Sequence, residues 1–186
     1  MEMNEKTLDQ NYIYRGKILD FHVDHAEQAS GRKVTRECVD HNGGVSVAVL
    51  TEQNEIYLVR QFRYPYRETV LETPAGKLEK GEDPFEAAKR EQREETGTIG
   101  KNYVDLGKMY PSPGYTNEVI YLYACRVESC GEQDLDEGEV LEAEKIPLSE
   151  AVEMVLRGEI PDAKTQILIL RADKLISGQA AGQAGF

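Results

Sequence analysis

Three glutamates, Glu91, Glu94 and Glu95, stand close together at the end of the segment GKLEKGEDPFEAAKREQREETG, residues 76–97. Pro84 to Glu95 reads as a helix. Asp83 stands at the N-cap, Pro84 takes the first helical position, and Glu86 follows Asp83 by three residues in a capping-box arrangement. Helical spacing sets Glu94, Glu91 and Glu95 at roughly −60°, 0° and +40° around the axis, so one arc of the helix is acidic. Like charges at these spacings cost about 0.2–0.5 kcal/mol each, and acids in a last turn meet the negative end of the helix dipole. A helix selected for stability alone would carry Lys or Arg there, and broken local rules of this kind are expected at functional or strained sites. The compensating chemistry is a bound divalent cation. Hard carboxylate oxygens suit Mg²⁺ or Mn²⁺, with water and substrate phosphate oxygens completing the shell.

On an ordinary surface helix, three such acids would form a solvated charged face. Here Ala87 and Ala88, one turn earlier, are small enough for another element to approach, and Gly76 and Gly81 let backbone come close to a ligand. Arg90 is placed to pair with Glu82 and fix the loop onto the helix. The spacing of Gly76, Glu82, Arg90, Glu91, Glu94, Glu95 and Gly97 resembles the Nudix box at all of its fixed positions. Gln92 and Thr98 depart from it, standing where the family usually has aliphatic residues. The surrounding VRQFRYPY, ETPAGKLEKGE and SPGYTNE are similar to the ADP-ribose pyrophosphatase branch of the Nudix hydrolases, and this likeness covers roughly residues 10–176.

The resemblance implies Mg²⁺-dependent hydrolysis of ADP-ribose to AMP and ribose 5-phosphate by a homodimer. Alternatives are another nucleoside diphosphate sugar, such as GDP-mannose or ADP-glucose, and a non-catalytic module that binds ADP-ribose. Glu91 and Glu95 are implied as metal ligands together with the Ala75 carbonyl, Glu94 as a further ligand or support, and Glu82 with Arg90 as the groups that orient them. In the acidic loop DLDEGEV, Glu137 is the expected general base and Glu139 a further metal ligand. Arg63, then Arg60, would meet phosphate. Pro113 is a substrate-side residue fifteen positions after Thr98, Glu118 would accept from ribose hydroxyls, and Tyr12 or Phe21 would stack on adenine.

The elements that must position these groups read as strands, a helix, strands and two helices, an α+β order that gives a mixed β-sheet sandwiched between helices. Residues 1–10 read as loose. From Asn11 to about Val39, short strands separated by ASGR form a small antiparallel β arm, and HNGG at 41–44 ends it. The expected division is 1–42 for the arm, serving dimerisation and base binding, 43–176 for the Nudix domain, and 177–186 for a flexible tail. VSVAVLT and EIYLVRQFR read as a hairpin, EVIYLYACRV as a strand, and SCGEQDLDEGEV as an exposed acidic loop. The first C-terminal helix, PLSEAVEMVLRGE, places Leu148, Val152, Val155 and Leu156 at helical spacing. The second, DAKTQILILRADKLIS, does the same with Ile167, Leu168, Leu170 and Leu175.

Composition narrows the partners. The 186 residues carry a net charge of −12, which works against a nucleic-acid or anionic-membrane surface. No apolar run approaches the length of a membrane span, and the polar amino terminus MEMNEKTLDQ points to the cytoplasm. Three cysteines without a CxxC pair read as reduced thiols rather than a structural zinc site, and His22, His25 and His41 show no ligand pattern.

Overall fold

A computed structural model describes residues 3–136 and 138–178. The backbone forms two units. One is the chain up to Gly43 together with Tyr110–Val119; the other is Gly44–Met109 with the chain from Ile120 onward. Tyr110–Val119, expected within the second region, therefore belongs to the first. Its PSPG turn offers no strand alternation, and its backbone bonds go to the neighbourhood of Val39: Val39 N–H donates to the Tyr115 carbonyl at 2.7 Å, and Asn117 N–H to the Val39 carbonyl at 3.2 Å.

The first unit is a three-stranded antiparallel sheet, ordered β1 (Glu5–Arg15), β2 (Leu19–Gln28), β3 (Lys33–His41). Strand β1 corrects the expectation of a loose start. Nearly every residue of it is exposed, so its sequence lacks an apolar alternation, and its support is the ladder to β2. An ion pair across the sheet adds to this, with Arg36 Nε donating to Glu5 Oε2 at 2.8 Å. In β2 the alternate residues His22, Asp24 and Ala26 are buried on one face.

The second unit is a mixed sheet with helices on both faces. Its order is β10 (Leu141–Pro147), β5 (Glu55–Arg63), β4 (Gly44–Leu50), β9 (Ile120–Cys130), β8 (Thr98–Met109), with β6 (Glu68–Glu72) beside β5 and β7 (Ala75–Lys77) beside β4. Among the described residues of this sheet, only the β4–β9 pairing is parallel. Alternate residues of β4 serve two cores. Val45, Val47 and Val49 pack with Ala87 and Ala88 of helix α1 (Pro84–Thr96). Ala48 and Leu50 pack with Leu148 and Ala151 of α2 (Leu148–Leu156) and with Leu168, Ile169, Ala172 and Leu175 of α3 (Ala163–Ile176).

The expected β4–β5 hairpin pairs only next to its turn, at Leu50 and Ile56. Beyond that the two strands part: β5 turns to β10 and β6, while β7 occupies the edge of β4. Buried Arg126 braces the turn, its Nη1 donating to the Thr51 carbonyl at 2.7 Å and to Asn54 Oδ1 at 2.8 Å. The helical stripes also differ in detail. Leu156 is 68% exposed and Leu170 38%, while Ile169 and Ala172 are buried in α3 instead.

Candidate active site

Helix α1 starts as its sequence dictates. Asp83 Oδ1 accepts from the N–H groups of Phe85 (2.9 Å) and Glu86 (3.2 Å), and Pro84 sits in the first turn. Glu86 itself turns to Lys89 at 2.9 Å. The helix ends at Gly97, whose φ of 66° is left-handed, where a side chain would be strained. Burial of Ala87 and Ala88 against β4 fixes the rotation of the helix, and that rotation brings Glu91 and Glu95 to the β7 segment.

Glu91 lies against Gly76 so closely that a Cβ there would fall 1.9 Å from its carboxylate. Glu95, only 2% exposed, accepts from the Ala75 N–H at 2.9 Å. The Ala75 segment is held from behind. The Pro74 carbonyl accepts from Val47 N–H and Ser46 Oγ, both at 2.9 Å, and Thr73 N–H donates to Thr165 Oγ1 at 2.8 Å. Thr165 in turn donates to Asp162, the N-cap of α3.

Arg90 answers part of the acid repulsion. Its Nη1 donates to Glu91 Oε1 (2.8 Å) and Glu94 Oε2 (2.9 Å), while Nε and Nη2 hold Glu82 at 3.0 and 3.2 Å. The bond from Arg90 holds the Glu82 carboxyl below its ordinary range. The dipole end of α1 is covered by the loop after β9: Asp134 N–H donates to the Glu94 carbonyl at 3.0 Å, Gly131 N–H to the Gly97 carbonyl at 2.7 Å, and Gln133 Nε2 to the Glu95 carbonyl.

What Arg90 leaves unanswered is concentrated on two carboxylates. Burial pushes the Glu91 proton affinity up, against the pull of Arg90, with Glu94 and Glu139 adding to the rise. Burial likewise pushes Glu95 up to about 8; the Ala75 N–H and Arg63 oppose this, and Glu91 and Glu139 reinforce it. Glu139 reaches this group from the loop before β10, where Gln61 Nε2 donates to its Oε1 at 3.0 Å. Two buried acids with raised proton affinity, faced by Glu139 and set beside a backbone segment with no Cβ at Gly76, are a donor set suited to a hard divalent cation.

The other sequence-predicted residues fall as follows. Arg63 is engaged by Glu72, with Nε at 2.5 Å and Nη2 at 2.8 Å, and Lys164 closes on the same carboxylate. Arg60 pairs with Glu144 at 2.7 Å on the exposed side of β5 and β10. Tyr12, Phe21, Pro113 and Glu118 belong to the first unit. There the Tyr12 hydroxyl donates to Asp40 Oδ2 at 3.1 Å, Glu118 lies 3.5 Å from His41 Nδ1, Phe21 is half-buried and Pro113 exposed. Glu137 lies outside the described residues.

The two departures in the box are partners. Gln92 is fully buried and donates to Thr98 Oγ1 at 3.0 Å, while its Oε1 accepts from the Tyr103 hydroxyl (2.7 Å) and Cys125 Sγ (3.2 Å). Burial pushes the Cys125 thiol up to about 12, so it stays a donor. Sequence reasoning missed Gln61, Gln133 and the Glu72–Lys164 pair. Only Gln61 was findable, since alternation puts it on the same strand face as Arg63.

A NUDIX domain model matches residues 40–167. Over 169 residues, covering 90% of this chain and 91% of the relative, the chain is 38% identical to an ADP-ribose pyrophosphatase of Bacillus subtilis. It is also 38% identical to a methanol dehydrogenase activator of Bacillus methanolicus (89% and 90% covered). A GDP-mannose pyrophosphatase of Klebsiella pneumoniae is 34% identical (96% and 94% covered).

Proposed function

The chain belongs to the NUDIX domain family, and from that premise we propose that it hydrolyses the pyrophosphate bond of nucleoside diphosphate sugars, with ADP-ribose as its substrate and Mg²⁺, or Mn²⁺ in its place, as its ion. The observation that carries this reading is the convergence of Glu91, Glu95 and Glu139 beside Ala75 and Gly76. One water is added across the P–O–P bridge, giving AMP and ribose 5-phosphate. Bound divalent ions supply positive charge to the phosphate oxygens and acidify the attacking water.

The chain's own residues hold and orient. Glu91, Glu95, Glu139 and the Ala75 carbonyl would hold the ion, and Arg90 locks Glu91 and Glu94 to the Glu82 loop so that the carboxylates do not have to reorganise. Glu137 takes the water's proton. Arg63 and Arg60 meet the diphosphate, Arg63 releasing part of its grip on Glu72 to do so. Tyr12 or Phe21 stacks on adenine, Glu118 accepts from ribose, and Pro113 shapes the substrate side. A homodimer fits the large apolar side chains that the first unit exposes, Leu8, Ile13, Tyr14, Ile18 and Leu19. The free thiols Cys38, Cys125 and Cys130 fit a reducing cytoplasm. Among the described residues, no helix is long and apolar enough to cross a membrane.

A substrate panel with Mg²⁺ tests this. ADP-ribose should give the highest kcat/KM among ADP-ribose, ADP-glucose and GDP-mannose, with AMP released. A tenfold preference for a nucleotide hexose would overturn the substrate assignment, and binding of ADP-ribose with no turnover would replace the enzyme by a binding module.

A further inference from the structure

The three-stranded unit carries a cluster of ligating side chains that hydrolysis does not use. Antiparallel register sets His22 of β2 directly opposite Cys38 of β3, and Asp24, two residues further along β2, shares their face. The ligand atoms of His22, Asp24 and Cys38 all lie within 4.8 Å of one another. The His22 and Asp24 side chains are 5% and 11% exposed, and Cys38 is half-buried, so the cluster is sheltered but reachable. A tetrahedral ion with bonds of about 2.0–2.3 Å sets its ligand atoms roughly 3.3–3.5 Å apart here, so closure draws the sulfur in by at most about 1.3 Å and spreads the 2.6 Å His22–Asp24 pair by about 0.7 Å.

The groups behind the cluster are those that orient metal ligands. His22 Nδ1 lies 2.6 Å from Asp24 Oδ1, while the opposite ring nitrogen, Nε2, faces Asp40 Oδ2 at 3.5 Å. Asp40 is itself fixed by the Tyr12 hydroxyl at 3.1 Å and by Asn117 Nδ2 at 2.7 Å. Gln10 Nε2 donates to the outer oxygen of Asp24 at 3.3 Å. A histidine with its far nitrogen on a carboxylate, next to a carboxylate that is itself hydrogen-bonded, is the outer arrangement that metal sites require. An ion pair alone would need His22, Asp24 and Asp40; it would not need a thiol across the strand.

We propose that His22, Asp24 and Cys38 bind a transition-metal ion of the zinc class, which ties β2 to β3 and keeps one position open to solvent. Sulfur and imidazole donors favour such an ion over Mg²⁺, which separates this site chemically from the all-oxygen face of α1. Binding displaces the Cys38 thiol proton to solvent, His22 ligates through Nδ1 with its N–H on Nε2 toward Asp40, and no electron is transferred.

The test is titration of the metal-free full chain with Co²⁺ in excess Mg²⁺, read as sulfur-to-cobalt charge-transfer absorption and not as hydrolysis. The expected result is a band that saturates at one equivalent and is bleached by Zn²⁺. It should vanish in Cys38→Ser and His22→Gln, persist in Cys130→Ser, and need about 10–100-fold more Co²⁺ in Asp40→Asn. A wild-type chain without the band overturns the proposal whatever the variants do, as does a band that survives Cys38→Ser or disappears with Cys130→Ser. Far-ultraviolet circular dichroism shows which variants are folded, and the wild-type spectrum and Cys130→Ser decide the question if the others are not.

Discussion

Gly76→Ala separates the site's geometry from the stability of the fold. A Cβ at this position would lie 1.9 Å from Glu91 Cδ and Oε1 and 2.3 Å from Oε2, and all three atoms are the far end of one flexible side chain. Restoring ordinary contact at about 3.5 Å therefore moves the carboxylate by roughly 1.5 Å. The backbone has no reason to yield, because Gly76 does not occupy the left-handed region. Removing a glycine also lowers the entropy of the unfolded chain, worth about 0.4–1 kcal/mol toward stability, which offsets the bond that Glu91 loses to Arg90. Catalysis has no such offset. Misplacing a group by about 1 Å costs on the order of 100-fold, or about 2.7 kcal/mol of barrier. We expect kcat/KM for ADP-ribose with Mg²⁺ to fall about 100-fold, the Mg²⁺ requirement to rise, and the urea midpoint to stay near that of the parent chain. A folded Gly76→Ala protein with parental kcat/KM would refute the placement of Glu91 at the reacting centre.

Three further outcomes follow from named contacts. Arg90→Lys keeps the charge but loses the fork that joins Glu82, Glu91 and Glu94; activity should drop about 10–100-fold, and an unchanged rate would reduce Arg90 to a surface ion pair. At Glu72, burial acts to raise the carboxyl, but Arg63 and Lys164 outweigh it, and the group is held below its ordinary value of 4.5. Its stabilisation is therefore complete above about pH 4.5 and disappears as pH falls through the depressed folded value. Glu72→Gln should cost about 3 kcal/mol at pH 7, from two cations left facing each other, and should flatten the acid limb of stability measured by urea unfolding; an unchanged acid limb would contradict the assignment. Gln92→Leu strands the Tyr103 hydroxyl and Thr98 and should cost about 1–3 kcal/mol, with part recovered by adding Thr98→Val and Tyr103→Phe. Additive losses in that series would show that the network is not coupled.

The start of α1 was legible because Asp83 and Pro84 state it locally, and its acidic arc because helical periodicity requires nothing beyond the sequence. The first half of β1, residues 5–10, was not, since an exposed, polar strand held by one ladder has no alternation to read. Strand β10 hid inside LEAEKIP, where Leu141 is buried and the residues after it are mostly exposed. The ion pairing of Arg63 is not legible in the sequence, because Glu72 and Lys164 lie in segments that only the fold brings to it. The same holds for His22, Asp24 and Cys38. Their spacing matches no ligand motif, and strand register alone brings them together. Gln92 and Thr98 looked like two independent departures until their hydrogen bond made them one substitution.

The central claim is that the carboxylate face of α1 holds a divalent ion against a diphosphate. Crystals grown with Mn²⁺ and a non-hydrolysable ADP-ribose analogue test it most directly through anomalous scattering. A peak bonded to Glu91, Glu95 and a phosphate oxygen is the predicted result. A bound analogue with no anomalous peak among Glu91, Glu95 and the phosphate oxygens would contradict it.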